Sequence, residues 1–144
     1  MKKRRVRPIV ICLFRRSDRI LVSEAYDSAK GDHFARPLGG GVEFGETSHD
    51  ALVREIREEI GAEIESVQIV GVLENIFIYQ GEREHEVVFV YDAEFRDKAM
   101  YEKAEIPYHE EGIDRLTTAH WRSPEELKQK NIRLVPEELS KRLS

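Results

Sequence analysis

Three successive glycines, Gly39, Gly40 and Gly41, stand shortly before a segment whose apolar residues recur at helical spacing. A run of positions without Cβ, preceded by Pro37, marks a backbone that must pass close to something side chains would obstruct. Thr47 opens the segment that follows, with Asp50 three residues later as a variant capping box. Leu52, Ile56 and Ile60 recur every fourth residue as an apolar stripe, and Gly61 suits the position just past a helix end. The chain is therefore constrained to a glycine-lined turn feeding an amphipathic helix, and the remaining elements have to be arranged around it.

Val6–Phe14 is rich in β-branched residues and reads as a buried strand, with Arg15–Asp18 a turn and Arg19–Tyr26 the returning strand. Asp27–Asp32 is a polar loop. Ser66–Tyr79 and Glu84–Phe95 are strand-like on either side of Gln80-Gly81, a hairpin signal. Arg96–Arg115 reads as a long polar loop, Leu116–Trp121 as a last strand, and Ser123-Pro124-Glu125-Glu126 as a helix start. Pro136-Glu137 starts a further short turn of helix. Strands and helices mix without regular βαβ alternation, so the expectation is an α+β fold with a mixed β-sheet, in one domain over residues 1–144.

The net charge of −5 is unevenly placed. Between Glu43 and Glu65 lie eight acids and two bases, which gives −6 there and leaves +1 for the rest of the chain. Such a balance disfavours coating of a nucleic acid, which needs a basic surface. Apolar runs such as Pro8–Phe14 are too short to span a bilayer, and the basic start lacks a small-residue cleavage site. Cys12 stands alone in a core strand, where it reads as a small buried hydrophobe in a reducing, cytoplasmic setting.

At about 100° per residue, Glu55, Glu58 and Glu59 fall within one arc beside the apolar stripe, expected to face solvent, with Arg54 and Arg57 flanking it. Like charges so spaced repel by a few tenths of a kcal/mol each, a crowding that a divalent cation relieves. Hard ions such as Mg²⁺ or Mn²⁺ take oxygen ligands and bridge phosphates. An ordinary solvated helix face explains the acids alone better; the glycine turn beside them shifts the balance toward a site.

Gly40, five residues, Glu46, seven residues, then Arg54-Glu55-Ile56-Arg57-Glu58-Glu59-Ile60-Gly61 resembles the Nudix box, G-x5-E-x7-R-E-U-x-E-E-x-G-U, where U is a bulky aliphatic. The match spans Gly40 to Ala62, and the strand order on either side is also similar to a Nudix domain. Two departures are visible: Ala62 stands where a larger aliphatic is usual, and Arg36-Pro37-Leu38-Gly39-Gly40 separates the proline from the glycines. The resemblance implies an α/β/α sandwich with the mixed sheet between helices. It also implies hydrolysis of a phosphoanhydride in a nucleoside diphosphate linked to another moiety. Mg²⁺ or Mn²⁺ would activate the attacking water. By position, Glu55, Glu58 and Glu59 would be metal ligands, joined by the Gly39 carbonyl. Glu46 and Arg54 would brace the loop against the helix, Arg54 would also orient an acid, and Gly40 and Gly61 would be structural positions.

The general base is not fixed by the box. Glu110 and Glu111, beside Gly112, are the candidates in the long loop, and His85 and His120 read as structural. No residue singles out the substrate. The expected partner is a nucleotide-type small molecule, with no nucleic acid and no membrane, and a homodimer is allowed by analogy alone. A module that senses a nucleotide without cleaving it is the competing function; such a module would be expected to have lost one of the three acids.

Overall fold

The computed structural model describes residues 4–109 and 116–143. β1 (Val6–Leu13) lies between two apolar layers, which explains its unbroken hydrophobic run. Val10, Cys12 and Phe14 point into one core, Ile9, Ile11 and Leu13 into the other. The first core is closed by the helix α1 (Ser48–Ile60) through Ala51, Leu52 and Ile56. The second is closed by the short helices α2 (Pro124–Gln129) and α3 (Leu139–Leu143), through Leu127 and Leu139.

The strand expected to return from β1 goes elsewhere. After the two-residue β2 (Arg15–Arg16) the chain enters β3 (Arg19–Asp27), which pairs with β2, with β4 (Asp32–Pro37) and with β9 (Leu116–Arg122), not with β1. β1 instead pairs antiparallel with β5 (Gly39–Gly41) and parallel with β7 (Glu82–Phe95). The tight turn does form, with Leu21 N–H donating to the Phe14 carbonyl at 3.1 Å, and the chain passes from one sheet to the other at Phe14. Among the described residues the strands form two sheets. One runs β5-β1-β7-β6, with β6 at Ile64–Tyr79; the other runs β10-β4-β3-β9-β8, with β8 at Glu105–His109 and β10 at Arg133–Leu134. Both contain parallel and antiparallel neighbours, so the fold is the α+β sandwich with mixed pairing, its strands divided over two sheets.

The hairpin of β6 and β7 turns at Gln80-Gly81, both at positive φ. The stretch Arg96–Arg115 departs from the loop expected there. Its first part forms a 3-10 helix, Lys98–Glu102, capped by Asp97, and then β8. Met100, Ile106 and Tyr108 carry this stretch into the first core, an apolar content that the many charged neighbours mask in the sequence. Ser123 caps α2 in a full capping box with Glu126, with Pro124 first in the helix. α1 begins at Thr47, whose side chain accepts from the Asp50 N–H, and ends at Gly61 in the left-handed conformation (φ 66°).

Two outcomes follow from this packing. Leu52→Ala should cost about 3 kcal/mol through the cavity it leaves, and Gly61→Ala about 1 kcal/mol through the strained cap, both read by urea unfolding. Cys12 is fully buried, and burial pushes its thiol well above the ordinary range. It should therefore resist an aromatic disulfide reagent in the folded protein and react at once in denaturant.

Candidate active site

β5 is the outer strand of its sheet, and its register on β1 decides where its carbonyls point. Cys12 N–H donates to the Leu38 carbonyl and Val42 N–H to the Pro8 carbonyl, so pairs 12/38 and 8/42 are the hydrogen-bonded ones. Alternation along an antiparallel ladder then leaves Gly39 and Gly41 with their carbonyls turned away from β1. The Gly41 carbonyl accepts from Arg54 Nη2 at 2.9 Å on that outer edge. Gly39, two residues earlier, directs its carbonyl to the same edge. A Cβ at Gly39 would run into the Val10 carbonyl, and one at Gly40 would overlap the Glu55 carboxylate. The glycines thus let the strand lie against β1 on one side and against a buried acid on the other.

The helix does not present its three acids as one solvent-facing arc. Glu55 (1% exposed) and Glu59 (7%) are buried, whereas the Glu58 side chain is 58% exposed. The helical wheel places all three within a narrow arc, but β5 and β1 cover most of it and leave only the rim. Arg54 flanks the acids and also reaches both the loop and two of them. Its Nε and Nη2 grip both Glu46 oxygens at 3.0 and 2.6 Å, and its Nη1 donates to Glu55 at 2.9 Å and to Glu58 at 3.3 Å. Glu46 in turn accepts from the Glu43 N–H at 2.9 Å, which closes the loop before the helix. The guanidinium pulls the Glu46 carboxyl down to about 2, and Glu46 holds Arg54 in its charged form. Arg57 turns the other way, to Glu63 at 2.7 Å. Glu110 and Glu111 lie outside the described residues.

A cavity of about 640 Å³ opens on the glycine strand and is lined by Gly39–Gly41 and Glu59. It is also lined by Tyr108 and by residues not anticipated from the sequence, Arg7, Arg36 and Glu86. One signal was available. In β7 the even positions 88 and 90 are buried valines, so Glu84 and Glu86 are acids at inward positions of the same alternation, and both are buried. An acid placed inward in a strand needs a partner or a function.

The donor set suits a hard cation. Two buried carboxylates and a backbone carbonyl edge meet at the glycine strand, all oxygen and none soft. Among the described residues no three acid, histidine or cysteine side chains gather into a closed cage. An ion here would complete its shell from water and phosphate oxygens, as Mg²⁺ commonly does.

The NUDIX domain model matches residues 3–143. The chain belongs to the Nudix hydrolase family. Among curated Nudix relatives, the NAD-capped RNA hydrolase NudC of Pseudomonas putida (strain GB-1) is 39% identical over 67 residues, 46% of this chain and 24% of that protein. The chain thus spans about a quarter of the length of the curated relatives it matches. Among solved Nudix structures, the MutT hydrolase from Burkholderia pseudomallei is 26% identical, with a TM-score of 0.61 over 85% of this chain and 87% of that one. A Nudix hydrolase from Nitrosomonas europaea, 16% identical, shares the fold with a TM-score of 0.64 over 94% of this chain and 85% of that one.

The contact between Gly40 and Glu55 gives a direct test. Gly40→Ala should displace the Glu55 carboxylate and weaken Mn²⁺ binding by about tenfold or more in calorimetry, with the far-ultraviolet circular dichroism unchanged.

Proposed function

We propose that this chain hydrolyses a phosphoanhydride bond in a nucleoside diphosphate linked to another moiety, a nucleotide or nucleotide sugar, with Mg²⁺ or Mn²⁺ as cofactor. The observation that carries this reading is the burial of Glu55 against Gly40 and of Glu59 beside the cavity that Gly39–Gly41 line. Buried carboxylates beside a cavity repel a pyrophosphate unless a cation intervenes. Glu55, Glu59 and the Gly39 carbonyl would hold the ion from the protein side. Glu58 would join from the rim, where its one described hydrogen bond is to Arg54 at 3.3 Å. A divalent ion held by these residues would offset the phosphate charge and supply the Lewis acidity that activates water as a nucleophile.

The chain's own part is orientation. Arg54 holds Glu55 and the Gly41 carbonyl in register, and Glu46 fixes Arg54. Water attacks one phosphorus of the anhydride and adds its oxygen there. The P–O bond to the bridging oxygen breaks, and the departing phosphate leaves with that oxygen and the electron pair. No covalent bond to the protein is required. Glu110 and Glu111 remain the proposed source of the general base.

The substrate is proposed to be a small nucleotide-type molecule. The charge balance speaks against coating a nucleic acid strand but leaves open a nucleotide at a strand's end, and the relatives' name, NAD-capped RNA hydrolase, makes capped RNA one arm of the assay. No helix of the described residues is long and apolar enough to cross a membrane. The buried lone thiol of Cys12 supports a cytoplasmic setting. A homodimer is supported by β6, an outer strand that exposes Ile69, Val72, Ile76 and Ile78. The register shift between Ile69 and Gly71 lets Ile69 join the face of the even-numbered residues.

Glu59→Gln should preserve the fold and cut Mg²⁺-dependent turnover of a panel of nucleoside diphosphate derivatives by orders of magnitude. Release of nucleoside monophosphate at an unchanged rate would refute the metal assignment. No turnover of any panel member by the wild type would favour the sensing module.

A further inference from the structure

The same cavity that Glu59 lines is also lined by three arginines, Arg5, Arg7 and Arg36, and by one further buried acid, Glu86. Glu86 Oε2 accepts from Arg7 Nη2 at 2.8 Å and lies 3.7 Å from Arg36 Nη1. The two arginines come from different sheets, Arg7 from β1 and Arg36 from β4, and Glu86 projects between them from β7. Arg36 immediately precedes Pro37, so its backbone runs directly into the glycine strand. Arg7 and Arg36 each keep more than a third of their side chains exposed, while Glu86 is 2% exposed. The Nε–H of Arg7 is buried without a hydrogen-bond partner among the described residues. A buried carboxylate can satisfy only a few N–H groups of two guanidiniums, and both arginines line the cavity with part of their side chains exposed.

Resting on the hydrolase reading above and extending it, we propose that Arg7 and Arg36 form a metal-independent anion clamp for the phosphoryl group distal to the metal, with Glu86 as the positioning residue that sets the two guanidiniums side by side. The arrangement separates two tasks in one cavity. Glu55 and Glu59 repel phosphate and depend on a cation to engage it; the two arginines attract phosphate unaided. A substrate with two adjacent phosphoryl groups can touch both. One with a single phosphate, or with phosphates masked as neutral esters, cannot. Guanidiniums suit this role because their paired N–H groups match two oxygens of one phosphate. Glu86, together with the buried Glu84 whose Oε2 lies 3.9 Å from Arg7 Nη2, offsets part of the positive charge in this partly buried place.

The alternative is that the Arg7–Glu86–Arg36 bridge only ties the two sheets together. The test uses inorganic pyrophosphate as probe, by calorimetry in the presence of a chelator, on Glu59→Gln protein, so that neither metal nor turnover enters. Pyrophosphate should bind, and Arg36→Gln or Arg7→Gln added to that protein should weaken it by about tenfold or more, the loss of one charge-assisted contact. Arg36→Lys should recover part of the affinity. Glu86→Gln should weaken pyrophosphate less than either arginine change, and in the active enzyme it should raise KM while leaving kcat near its original value. Lowered melting temperature with unchanged pyrophosphate affinity in the arginine variants would overturn the clamp and leave a structural bridge. Absence of pyrophosphate binding without metal would overturn it as well. Both results would leave the hydrolase reading standing, because that reading is decided by turnover of the unmodified enzyme.

Discussion

Arg54 is the point at which loop, strand and helix are made into one object. Its guanidinium takes both oxygens of Glu46 in the preceding loop, the carbonyl of Gly41 on β5, and the carboxylates of Glu55 and Glu58 on its own helix. A planar cation with five fixed donors is the one side chain able to do this, because each contact lies along a direction set by the others. Without it, two buried glutamates would face each other's charge and an unsatisfied strand edge. With it, the acids are held close at little electrostatic cost, and they are held in place by a group that itself stays out of the cavity lining.

That arrangement depends on a backbone close approach, which depends on the absence of side chains at Gly39 and Gly40. β5 can lie on β1 because nothing projects from Gly39 toward Val10, and the helix can seat Glu55 because nothing projects from Gly40. The order of causes runs from composition to sheet edge to buried acid. The cavity beside the same edge strand gathers an acid from the helix and arginines from strands of both sheets.

Much of this was legible in the sequence. The Thr47 cap, the stripe of Leu52 and Ile56, the Gly61 stop and the Gln80-Gly81 turn are local signals, set by hydrogen bonds within a few residues, and the structure forms each where it was read. What escaped were consequences of contacts distant in sequence. Whether Glu55 faces water depends on a strand fifteen residues away, and periodicity on one helix carries no information about what covers it. The partner of β1 is β7, almost eighty residues on, and the hairpin-like spacing of Arg15–Asp18 suggested a neighbour that belongs to the other sheet. Charged residues hid the apolar Met100, Ile106 and Tyr108 within a stretch that looked like a loop. The basic cluster was missed because Arg7, Arg36 and Glu86 become neighbours only when three strands are assembled.

The tight fit of Glu55 beneath Gly40 has a thermodynamic consequence. A glutamate on an open helix face samples many rotamers, and any ligand that fixes it meets that loss of entropy at the moment of binding. Here the backbone at Gly40 leaves the carboxylate no room to swing, and Arg54 holds one of its oxygens. The freedom is surrendered once, when the chain folds, and it does not have to be surrendered again at each encounter with a ligand. The glycine thereby acts as a mould, fixing by its emptiness the shape that an adjacent side chain must keep.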